Sequence, residues 1–129
     1  MISYGFEKQT DLPFGRALEV VSEELKKEGF GILTEIDVKE KFREKLGIDF
    51  KKYIILGACN PPLAHQAILA EENIGLMLPC NVIVYEKEKG TGIAVIKPTA
   101  AMGMIANEKL RGVAEEVEAK LRKVFDSIP

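Results

Sequence analysis

Both cysteines, the histidine and three of the six prolines of this 129-residue chain fall in one stretch, Ile54 to Tyr85, reading IILGACNPPLAHQAILAEENIGLMLPCNVIVY. The residues there with chemical potential are Cys59, Asn60, Pro61, His65, Pro79, Cys80 and Asn81, which form two Cys-Asn pairs, each flanked by a proline. Three chemistries fit them. A thiolate at a helix start gains from free N–H groups and the helix dipole, and Cys59 stands where a reactive or redox thiol would. Cys59, Cys80 and His65 make a soft donor set for zinc or copper(I). A closed zinc site needs a fourth ligand, for which Glu71, Glu72, Met102 and Met104 are the candidates. The same motifs could instead wall a pocket for a small molecule.

A structural alternative stands beside all three: small buried thiols at strand ends, with asparagines holding the turns. Pro61 and Pro62 remove two N–H donors from the first helical turn, and the Asn60 carboxamide is placed to take the N–H of Leu63, so little is left for an anion. No lysine or arginine lies near either cysteine in sequence. At 100° per residue His65 falls off the apolar arc of Leu63, Ala64, Ala67, Ile68 and Ala70, and it reads as solvent-facing. The chain has no glycine-rich phosphate loop, no HExxH and no serine in a nucleophile elbow. No reaction is assigned, and the small-ligand, thiol or soft-metal, and structural readings stay open.

Composition narrows the partners. At 47% hydrophobic and 29% charged with a net charge of -2, the chain lacks the basic excess that a phosphate backbone demands, so nucleic acid is not expected. No apolar run approaches the ~20 residues of a membrane helix, and no basic segment leads into an apolar one after Met1. The expectation is a cytoplasmic protein whose two cysteines stay reduced. A chain of this length fits one α+β domain, residues 1–129, around a single core.

Periodicity places the stretch among its neighbours. Ile2 to Lys8 alternates as a strand, after which Thr10 and Asp11 offer caps for a helix carrying Phe14, Ala17, Leu18, Val21 and Leu25. Gly31 to Ile36 reads as a strand with one wetter face, and Asp37 with Glu40 resembles a capping box opening a short charged helix that stops at Gly47. Tyr53 to Ala58, Val82 to Tyr85 and Ile93 to Ile96 are apolar on both faces. Between the first two of these, Asn60 caps a helix from Pro61 to about Glu72. After Pro98, Thr99 is placed to cap a turn or two around Met102 and Met104. Asn107 then starts the cleanest amphipathic helix, Leu110 to Phe125. Reach argues that Asn73 to Pro79 climbs back after the Pro61 helix. That makes the flanking strands antiparallel and brings Cys59 and Cys80 to the same end of the sheet.

The motifs GACNPPLAH and GLMLPCN resemble those of a bacterial and archaeal family, the domain of unknown function numbered 302, and the resemblance covers nearly the whole chain. It implies a two-layer β-α-β(4)-α core with a mainly antiparallel sheet and short inserted helices. It also implies a homodimer, and no reaction. The sheet itself also points to a second copy, meeting its mate through apolar strand or helix residues near the Cys-Asn end. The apolar strands need cover on both faces, the two long helices supply one, and only short helices remain for the other.

Overall fold

The computed structural model describes residues 2–129. Five strands, β1 (Gly5–Thr10), β2 (Gly31–Asp37), β3 (Tyr53–Cys59), β4 (Cys80–Glu86) and β5 (Thr91–Ile96), form one sheet in the order β1-β5-β4-β3-β2, with every neighbouring pair antiparallel. The helices are α1 (Phe14–Lys27), α2 (Val38–Leu46), α3 (Pro61–Ala70), α4 (Pro98–Ala101) and α5 (Glu108–Ser127), with a 3-10 turn at Glu72–Met77. The fold is α+β, as expected. α3 and the 3-10 turn carry the chain back so that β3 and β4 run antiparallel, with Ala58 opposite Cys80.

Alternation sets the main core. Ile54, Leu56 and Ala58 of β3 face the same side as Val82 and Val84 of β4 and Ile93 and Val95 of β5, and α1 and α5 lay Ala17, Val21, Leu25, Leu121 and Val124 onto that side. Lys8 of β1 ties the sheet to the end of α5 by donating to the carbonyl oxygens of Phe125 and Ile128, 2.7 Å each. Both carbonyls lie at the C-terminal end of α5, where that of Phe125 also accepts the N–H of Ile128 at 3.2 Å. Burial lowers the Lys8 pKa, and nearby Asp126 opposes that shift.

The described residues form two cores, where the sequence suggested one. The 20 residues of α5 span about 30 Å, whereas strands of six or seven residues span about 20–23 Å, so the helix overhangs the sheet. Its overhanging half packs Leu110 and Ala114 against Ala67, Ile74 and Met102 in a second cluster. Asn107 locks this unit: its Oδ1 caps α5 at Leu110 N–H, 3.1 Å, while its Nδ2 donates to the Ala70 carbonyl, 2.8 Å, and to Glu71, 3.0 Å.

Other local expectations shift. Thr10 belongs to β1 and caps nothing: α1 starts after Pro13 with no side-chain cap, and Thr10 Oγ1 accepts the Leu12 N–H. Thr99 does not cap α4; both its N–H and its hydroxyl donate to Glu118, which reaches over from α5. Asp37 does cap α2, and Gly47 ends it at φ 66°. β2 has no dry face at all. As the sheet's edge strand, with a bulge between Ile32 and Thr34, it is exposed at all seven positions, Leu33 at 65% and Ile36 at 43%.

Candidate functional site

The Cys-Asn motifs converge as the antiparallel topology requires. Asn60 Oδ1 accepts the N–H of Leu63 at 3.4 Å and opens α3, whose first two helical positions are Pro61 and Pro62. Its Nδ2 donates to the carbonyl of Glu28 at 3.3 Å, fastening the start of α3 to the end of α1. Across the sheet, Gly57 pairs with Asn81. A Cβ on Gly57 would stand 2.1 Å from Thr34 Oγ1 and 2.7 Å from Pro79 Cγ, so glycine is what lets these three segments close up beside the cysteines.

Cys59, Asn60, Pro79 and Cys80 border one apolar cavity together with Met102 and Val117. Its volume is about 30 Å3, room for about two water molecules. Both cysteines are free thiols, Cys59 half-buried and Cys80 buried. Burial raises the pKa of Cys59. It pushes Cys80 up to about 11, with the neighbouring Cys59 adding to the effect. Thiols so placed are held protonated at neutral pH, opposite to the poise of a nucleophile. Their soft neighbour is Met102, which borders the same cavity, whereas Pro61 and His65 sit exposed on α3 and do not. Among the described residues no group of three or more His, Cys, Asp and Glu side chains stands where a metal ion could be held.

Asn81 points the other way. It belongs to the sheet face opposite the core, where it helps line a groove of about 350 Å3. The register builds this groove: Tyr53 stands opposite Tyr85, and Tyr85 opposite Gly92. The Tyr53 and Tyr85 rings stack at 5.7 Å between centroids and 23° between planes. The Tyr85 ring lies over Gly92, where an added Cβ would come within 2.4 Å of it. Ile83, Ala94 and Ile96 continue the lining, and Tyr4 closes it, having left the strand alternation before Gly5. Burial raises the pKa of Tyr53, with Tyr85 and Tyr4 adding to it; it also raises that of Tyr85, helped by Glu7. Among the described residues, only those of strands and their flanks line the groove. The tyrosines thus dress the face that seemed to need a helix.

Sequence reasoning placed the cysteine end and missed the groove. The one signal was parity, since Tyr53 and Ile55 share a face, as do Ile83 and Tyr85; the pairing register that joins them is a tertiary fact. Residues 6–128 match the family described as a domain of unknown function, DUF302. A crystal structure of an uncharacterized conserved DUF302 protein from Bacillus stearothermophilus is similar at a TM-score of 0.91 and 32% identity, covering 99% of this chain and 100% of that one. No curated protein matches.

Proposed function

The chain belongs to the DUF302 family, a domain family of unknown function, and we propose that it is a small-ligand-binding module that works through the tyrosine-lined groove. The observation that carries this reading is the contrast in space. A groove of about 350 Å3 lies within the range of ligand pockets, whereas the thiol cavity of about 30 Å3 admits water and little else. The raised thiol pKa values tell against the redox alternative. Free thiols and the lack, among the described residues, of any helix long and apolar enough to cross a membrane support a cytoplasmic setting.

A mixture of small aromatic and aliphatic compounds, titrated into 15N-labelled protein, tests the reading. Amide shifts are expected at Tyr53, Asn81, Ile83 and Tyr85. Shifts confined to Cys59, Asn60 and Cys80, or none, reject it.

The module is proposed to act as a homodimer joined at β2. This strand offers a bare backbone edge and exposes Ile32, Leu33 and Ile36, with Leu46 and Ile48 exposed as well, and its Gly31 end pairs with Cys59 at the Cys-Asn end. An unprotected apolar edge invites a second strand, and a two-fold axis supplies the same strand again. β2 lines no part of the groove, so this pairing leaves the groove open. Light scattering is expected to give twice the 14.3 kDa chain mass, falling to the chain mass in Leu33→Glu. A wild-type protein of single-chain mass refutes the pairing.

A further inference from the structure

We propose that the groove takes an aromatic anion, an aryl carboxylate or its like, with the ring against Tyr53, Ile83 and Tyr85 and the negative group between Lys51 and Lys87. The inference rests on the binding-module reading and adds the charge and shape of the ligand. Its first support is apolar. The groove pairs two stacked phenol rings with an aliphatic lining, and a flat ring buries more area against such a wall than a branched aliphatic group does.

Its second support is charge. Lys51 and Lys87 flank the Tyr53–Tyr85 pair, and both ammonium groups converge on one ring, 5.1 Å and 5.8 Å from the Tyr85 centroid. Among the described residues neither lysine has a carboxylate within ion-pair distance, whereas Arg16, Lys27, Lys39 and Arg122 all do. Two ammonium groups gathered at the Tyr85 ring, Lys51 within the groove lining and Lys87 beside it, make a local pair of like charges that an anion seated between them relieves. The acidic groups nearby are Glu7, which lines the groove, and Glu86 and Glu88, which border a neighbouring space together with Lys51 and Lys87. Glu7 accepts the N–H of Ile2 at 3.1 Å, and Glu86 accepts the N–H of Lys52 at 3.0 Å. Asn81, at the groove's other end, supplies a carboxamide for a second polar substituent.

Two probes of equal ring and opposite charge test this, 1-naphthoate and 1-naphthylmethylammonium, each titrated at low salt and followed by amide shifts. Naphthoate is expected to saturate at the groove and to weaken about tenfold in the Lys51→Glu, Lys87→Glu double variant, while the ammonium probe binds the wild type poorly and the variant better. Equal binding of both probes to the wild type, or naphthoate affinity unmoved by the double variant, overturns the inference and leaves the groove as a binding site. Failure of both probes to shift any groove residue takes the binding-module reading down with it. A second copy seated on this face would exclude both probes and counts as that failure.

Discussion

At the Cys-Asn end of the sheet, two thiols and the capping asparagine of α3 crowd around a space of about 30 Å3; on the outer face, three tyrosines and a few aliphatic residues leave about 350 Å3 open. The end with the distinctive residue types is the closed one. Asn60 spends its carboxamide on the start of α3 and the end of α1, and Cys80 lies in the core cluster. The outer face is built of residues found in any strand, yet there the volume and the unpaired charge meet. Reactive residue types mark chemistry only where solvent and space reach them, and fold assembly can consume them entirely.

The sharpest way to break the contrast is alkaline unfolding. Cys80 has an ordinary pKa of 9.0 unfolded and about 11 folded. Below pH 9 the thiol is protonated in both states. Between 9 and about 11 the unfolded chain gives up its proton while the folded one keeps it, so stability falls through that window and levels off above it. Two pKa units amount to about 2–3 kcal/mol. Urea midpoints measured across the window are expected to fall more steeply for the wild type than for Cys80→Ala. Parallel curves would mean that Cys80 is exposed and that the cysteine end is open after all.

A smaller effect sharpens the other side. Gly92→Ala sets a methyl against the Tyr85 ring and is expected to cost about 1–2 kcal/mol through overpacking, with amide shifts spreading to Tyr53. The same change at Gly112, where nothing lies within 4 Å of an added Cβ, is expected to be neutral or mildly stabilising in its helix. A Gly92→Ala protein as stable as the wild type would place the ring away from the strand and the groove with it.

Much of the fold was legible because local chemistry and global arrangement agree. Asn60 and Asn107 cap the helices they were expected to cap, and β3 and β4 are antiparallel as reach required, although the return after α3 runs through the 3-10 helix Glu72–Met77 and not through an extended Asn73 to Pro79. Legibility ended where position in the sheet decides. The alternation of Ile32, Thr34 and Ile36 promised a dry face, but dryness depends on having a neighbour and a roof, and β2 is an edge. Likewise Tyr53 and Tyr85 counted as apolar in strands that needed cover, whereas their rings lie across the sheet as the cover itself. The second core was hidden because the overhang of α5 follows from its length relative to strands set elsewhere.

The tyrosine face has a consequence for anyone who measures this protein. The chain has no tryptophan and three tyrosines, and all three line the groove. Its phenolic fluorescence and the tyrosine band of its near-ultraviolet circular dichroism therefore arise from that one place, with the stacked pair close enough for its transitions to couple. The groove reports on itself, and light absorbed by these rings can be followed to see it fill, empty or come apart without adding a label anywhere.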